Sequence, residues 1–367
     1  MTATFLSLHL LTSARLLPAP VVSTGIGPVL ALLHQPSLGG AYLDTFGSLL
    51  DAKAIDDAED DGDLTAQQAI DLKAMLSQDV SGPGVYVYAY DGDATTVGDE
   101  LTAMDDAAAE AGIRSGTLYI GSRDDAHIAA AGTWHGTGGR WQRRVLFAQT
   151  NNADIATAGK PAAFTAAEVE SFSISAHSST AAPLAASFAG VVGGYDMLNN
   201  DPLGATGRVR GVDLPTYTTA QIQSIVLNNA HTLVRKDRGA SALERRRVGT
   251  TFYGGFGAKP VLSFVYTIRT IEQAISDFWF RLSITQAALP ATVKGANAVR
   301  AIVAQALGTI EHHFTPGLSG EPPNEALFPE GWQVDVVVVG DSLRVTVKVR
   351  LGREVRTIIL DVTGEEI

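Results

Sequence analysis

The 367-residue sequence contains no cysteine. That excludes disulfides, thiol nucleophiles and thiolate metal sites, and it leaves the compartment open. Basic residues are scarce: 27 Lys and Arg stand against 39 Asp and Glu, a formal net charge of −12. A chain this acidic is a poor candidate for gripping nucleic acid by neutralising phosphates. Long apolar runs are missing as well. Phe5 to Leu11 is apolar, but it falls far short of the ~20 residues that span a bilayer, and no basic residue precedes it as in a signal peptide. The expectation is a soluble protein with an apolar N-terminal arm, no membrane insertion and no direct nucleic acid.

The signatures of chemistry are absent too. "GIGPVL" and "GGFGAK" do not complete the dinucleotide fingerprint, and neither a P-loop nor a nucleophile elbow occurs. His312 and His313 are adjacent, whereas helical zinc ligands stand four residues apart. "DDAEDDGDL", from Asp56, lacks the spacing of a calcium loop. His177 sits among hydroxyls in "SAHSST", but the members of a catalytic triad converge from separate loops. No catalytic residue, metal or cofactor is assigned. A hydrolase-like α/β enzyme using the His177 region remains the alternative.

What is present is a globular composition, 46% hydrophobic and 18% charged, in a chain long enough for two or three domains. Thr65 heads a helix carrying Ile70, Leu72, Met75 and Leu76. The strand "VYVYAY" follows, then an alanine-rich helix with Leu101, Met104 and Ala108 on one face, stopped by Gly112. "TLYIG", "RRVLFAQT" and "SFSIS" read as strands, alternating with the helices "DDAHIAAAGTWHG" and "PLAASFAGVVGG". Such alternation means βαβ units and a mostly parallel sheet covered by helices. Further on, a helix capped at Thr218 or Thr219 precedes two strands around a basic turn, and two long helices start at Ile268 and Asn297.

The fold class is therefore α/β, and five segments are expected: an N-terminal arm, 1–20; the N-terminal part of the core, 21–60; an α/β domain, 61–261; a helical part of the core, 262–341; and a C-terminal β arm, 342–367. The acidic run Asp56 to Asp63 is read as a solvated break at one of these boundaries.

The last segment carries the clearest pattern. In "SLRVTVKVRLGREVRTIILDV", Leu343, Val345, Val347 and Val349 alternate with Arg344, Thr346, Lys348 and Arg350. A half-buried strand needs this period of two. After a Leu-Gly turn the pattern restarts at Val355, Thr357 and Ile359, which would add burial on one face. A terminal strand with a free edge invites a neighbouring chain. Phe5, Leu6 and Leu8 give the N-terminus a similar character. One further cluster stands out against the acidic background: Arg235, Lys236, Arg238, Arg245, Arg246 and Arg247.

The order of these features resembles a contractile-tail sheath protein, the subunit of the outer cylinder of contractile phage tails and related injection machines. "PLAASFAGVVGGYDMLNNDPLGATGRVRGVDLP" resembles that family's apolar helix, broken loop and return strand. "LPTYTTAQIQSIVLNNAHTLVRKDRG" resembles its threonine-capped helix feeding a strand. "AKPVLSFVYTIRTIEQAISDFWFRLSI" is similar to the point where a strand with an Arg-Thr pair, here Arg269-Thr270, enters a long helix. "GIGPVLALLHQPSLGGAYLDTFGSLLDAKAI" is similar to the opening core segment.

The resemblance implies a mixed sheath-type core with terminal β arms exchanged between subunits. It implies a homo-oligomer, a helical sheath of identical subunits, with a tail tube protein and with baseplate and tail terminator proteins as partners. It also implies a place in the virion tail after assembly in the host cytoplasm. On this reading Leu343, Val345, Val347, Val349, Val355, Thr357, Ile359, Phe5, Leu6 and Leu8 serve inter-subunit strand exchange. The six basic residues face another subunit or the tube. Another phage assembly protein, of a non-contractile tail or a capsid, is the remaining alternative.

Overall fold

The buried strands of the larger part of the molecule are short, apolar and separated by helices, as a parallel sheet covered on both faces requires. The computed structural model describes residues 25–36, 46–49, 51–78, 85–157, 170–200, 209–236, 245–248, 258–285, 289–314, 331–351 and 354–362. Its strands are β1 (Val29–His34), β2 (Phe46–Leu49), β3 (Val85–Tyr90), β4 (Thr117–Ile120), β5 (Val145–Thr150), β6 (Phe172–Ala176), β7 (Ala230–His231), β8 (Leu233–Lys236), β9 (Arg245–Val248), β10 (Trp332–Val339), β11 (Ser342–Leu351) and β12 (Glu354–Val362). Its helices are α1 (Ala52–Asp60), α2 (Ala66–Leu76), α3 (Val97–Glu110), α4 (Asp125–Gly136), α5 (Arg140–Arg143), α6 (Leu184–Gly194), α7 (Thr219–Leu227), α8 (Ala258–Thr285) and α9 (Val293–Thr309). The chain divides into two compact units, Thr24–Tyr266 and one containing Thr267–Ile367, and the division falls inside α8.

The first unit is built on a seven-stranded sheet in the order β2-β3-β1-β4-β5-β6-β7. All neighbours are parallel except β2, which runs antiparallel to β3 at one edge. One face packs Leu30, Leu32, Tyr88, Leu118, Ile120 and Leu146 against Leu101 and Met104 of α3 and Ile128 and Ala131 of α4. On α3, Val97, Leu101, Met104 and Ala108 are the buried residues, the stripe that helical periodicity specifies. Thr65 and Gln68 close a reciprocal capping box at the start of α2, satisfying two amide groups that would otherwise lack partners. α6 lies so close to the end of α2 that a Cβ on Gly190 would stand 2.5 Å from the carbonyl oxygen of Met75.

In the second unit β10, β11 and β12 form an antiparallel sheet with β11 in the middle. α9 turns Val299, Val303 and Leu307 inward. Its Arg300 donates 3.2 Å to the carbonyl of Val336 on β10.

Several expectations are corrected. The stretch Asp56 to Asp63 is not a break: residues through Asp60 belong to α1, which is capped by Asp51 and buries Ile55 and Ala58. β1 pairs with both β3 and β4, so 21–60 is not a segment apart from the α/β domain. Arg269-Thr270 lies in the interior of the 28-residue α8, not on a strand entering it. The helix expected at the start of that stretch begins ten residues earlier, at Ala258, with Pro260 in its first turn, where a missing amide hydrogen costs nothing. Finally, the span 262–341 is not wholly helical, since β10 occupies its end. The second long helix also stops at Thr309, and a short 3-10 turn carries His312 and His313.

Candidate functional site

Leu343, Val345, Val347 and Val349 are all buried, at 7%, 0%, 0% and 0% exposure, while Arg344 and Lys348 face solvent. The alternation read from the sequence is thus a two-faced strand. β11 is not an edge, however. β10 occupies one side, with Val345 opposite Val336 and Val347 opposite Val334. β12 occupies the other, with Val345 opposite Leu360 and Val347 opposite Ile358. Among the described residues, the edges of this sheet are β10 and β12.

The register also shifts the second half of the expected pattern. Val355, Thr357 and Ile359 stand opposite Arg350, Lys348 and Thr346, not opposite the buried row. It is Ile358, Leu360 and Val362 that stand opposite that row. Phe5, Leu6 and Leu8 lie outside the described residues.

The strand that sequence reasoning missed, β10, carries the most unusual surface. Val337, Val338 and Val339 are 43%, 37% and 50% exposed, three consecutive β-branched side chains on an edge strand. Gly340 then turns the chain at φ +61°, the left-handed region that glycine enters freely, and Asp341 completes a two-residue hairpin loop into Ser342. The signal was available: a valine run, a Gly-Asp pair and an alternating strand make a hairpin.

The basic residues fall on a separate two-stranded ribbon. Arg245, Arg246 and Arg247 are strand residues of β9 and not part of a turn. The register sets Arg235 opposite Arg246 and Lys236 opposite Arg245. Arg238 lies outside the described residues.

The enzyme alternative turns on His177. Its Nδ1 accepts from the amide of Ser179 at 2.9 Å, and its Nε2 donates to the carbonyl of Asp213 at 2.9 Å. Both ring nitrogens are thus tied to backbone, and the imidazole pins two loops together. A richer cluster lies at the carboxyl ends of β1 and β3. The His34 and His127 rings are 4.4 Å apart, and the Tyr90 phenol donates to His127 Nδ1 at 2.6 Å. Burial holds that phenol above its ordinary pKa, so it remains a donor, while burial and the neighbouring His34 lower His127. His34 in turn lies within 3.0 Å of the carbonyl of Gly92 through its Nε2. Among the described residues no group of three His, Cys, Asp or Glu could hold a metal ion.

No family model matches the chain, and no curated protein matches it. Its fold is nonetheless that of sheath proteins among the solved structures. A chain of the baseplate of the anti-feeding prophage, solved by cryo-electron microscopy, superposes with a TM-score of 0.61 at 15% identity, covering 94% of each chain. The sheath tail protein Lin1278 from Listeria innocua gives 0.60 at 10% identity, covering 92% of this chain and 95% of the other. The contracted sheath complex of the extracellular contractile injection system PVC gives 0.57 at 14%, covering 92% and 93%.

Proposed function

We propose that the chain is the structural subunit of a contractile tail sheath. It polymerises helically around a tail tube and shortens on triggering, driving the tube into a target for delivery of a genome or an effector. Its partners are further copies of itself, the tube protein and the baseplate and terminator proteins at the two ends, within the virion tail or an equivalent device. The reading gives the chain no catalytic residue.

The observation that carries it is the extent of the likeness, 92–94% of this chain against three proteins whose descriptions name sheaths or the baseplate of a prophage. The likeness therefore extends past the α/β unit, which alone would suit many functions. The exposed β10 edge supports the reading further. An added strand satisfies unpaired backbone groups, each net hydrogen bond contributing about 0.5–1.5 kcal/mol. In the sheath reading, arms bearing Phe5, Leu6 and Leu8, or β12 with its Val355, Thr357 and Ile359, pair with a neighbouring copy. The subunit bodies then rotate while the paired strands keep the mesh continuous.

Negative-stain electron microscopy of the purified chain tests this. Hollow cylinders with a helical surface lattice are expected. Compact small oligomers, closed shells or smooth narrow tubes would overturn it.

A further inference from the structure

The two edge strands of the seven-stranded sheet, β2 and β7, are each followed in the chain by a segment of strong and opposite charge. α1 starts two residues after β2, the strand at one edge. The stretch 51–63 that contains it holds seven acidic residues and one lysine. Asp56, Asp57, Asp60 and Asp61 are exposed. Lys53 pairs with Asp57, and Lys73 pairs with Asp56 and Glu59, which offsets only part of this charge.

At the other edge β7 ends at His231, and one residue later the chain enters the β8–β9 ribbon. Five of the eight ribbon residues are Arg or Lys. Two of its four cross-strand pairs set cation against cation, Arg235 with Arg246 and Lys236 with Arg245. A two-stranded ribbon is marginal by itself.

We infer that the basic β8–β9 ribbon of one subunit docks on the acidic α1 face of a second copy, joining the two head to tail. Charge complementarity selects this occupant. Nucleic acid is the other polyanion, but a chain of net charge −12 repels it over most of its surface. A second copy supplies an acidic face in one-to-one proportion with every ribbon. Because the two patches are different surfaces of one chain, the contact is heterologous, and repetition without closure gives an open filament. The inference deepens the polymer reading above, and its test lets either fail alone.

The test uses the full chain in three variants: R245E/R246E/R247E, D56K/D57K/D60K, and the two combined. Self-association is followed by sedimentation velocity between about 0.05 and 0.5 M NaCl, a range across which the Debye length falls several-fold. Wild-type association is expected to weaken with salt. Each single-patch variant is expected to associate about tenfold more weakly or worse, and the combined variant to recover, because the charges are exchanged and not removed. If circular dichroism shows R245E/R246E/R247E unfolded, R245Q/R246Q/R247Q replaces it, with the same loss expected. A combined variant no better than either single one, or wild-type association indifferent to salt, overturns the inference. So does a ribbon variant that keeps full self-association and loses only retention of a DNA oligonucleotide. Charge-exchange recovery without cylinders in micrographs would uphold this contact and sink the sheath reading.

Discussion

Arg123 closes over Asp71, its guanidinium donating 2.8 Å and 3.1 Å to the two carboxylate oxygens. Asp71 comes from α2 and Arg123 from the loop after β4, and the pair is almost wholly buried. The Tyr119 phenol donates 2.7 Å to the same carboxylate, and Arg123 also reaches the carbonyl of Ala182 at 3.2 Å. One ion pair thus ties α2, two βα loops and the sheet at its carboxyl edge. Arg123→Ala leaves an uncompensated buried carboxylate and is expected to cost roughly 3–5 kcal/mol. Urea unfolding of the variant measures it; a loss under about 1 kcal/mol, the level of an exposed pair, would contradict the account.

His135 lies fully inside, with Nε2 2.8 Å from Ser171 Oγ. Burial, with Arg144 and Arg140 nearby, pulls its pKa down to about 3. The unfolded chain binds that proton near pH 6.5, so the folded state is favoured in full above that pH. The contribution is lost progressively as pH falls toward 3. Thermal melts between about pH 7 and pH 4.5 should therefore fall more steeply for the wild type than for His135→Gln. Parallel slopes would mean that the imidazole is not the proton-linked group.

Gly190 has no room for a side chain, since a Cβ there would stand 2.5 Å from the Met75 carbonyl oxygen. Gly190→Ala forces α6 away from α2 and is expected to cost about 1–3 kcal/mol, as overpacking does in close-packed cores. Gly308→Ala, where a Cβ meets nothing within 4 Å, is the control and is expected to be neutral or mildly stabilising. Chemical denaturation of both variants decides it, and an equal effect at the two positions would count against the packing.

Ending the chain at Arg350 removes β12 and leaves β11 with one neighbour. The Thr24–Tyr266 unit should keep its far-ultraviolet signature and its melting transition, while cylinders fail to form. Val338→Lys makes the same point more gently, placing a charge on the β10 edge without shortening anything. Cylinders forming normally from both variants would remove this sheet from any role in assembly.

Much of the first unit was legible because its residues obey local rules. Thr65 and Gln68 announce a helix start, Leu101, Met104 and Ala108 announce its buried face, and "VLFAQT" cannot be anything but a covered strand. The acidic run misleads because dense charge suits a loop, although Ile55 and Ala58 at helical spacing mark a buried face. The residues ahead of Ile268 mislead because a β-branched, aromatic stretch such as "VLSFVYTI" suits a strand by propensity, and tertiary packing overrides it. The place of β11 in the middle of its sheet depends on contacts between three segments, and the alternation of Leu343 to Val349 is the same for an edge or a central strand.

The exposed valines 337–339 bear on how such a protein survives between synthesis and use. An exposed β-branched edge strand is a template on which other extended polypeptide can pair. Yield of usable material then becomes a race between the right companion and every wrong one. Expressing the chain together with its intended companions, at low temperature and low abundance, is the condition under which that race is won.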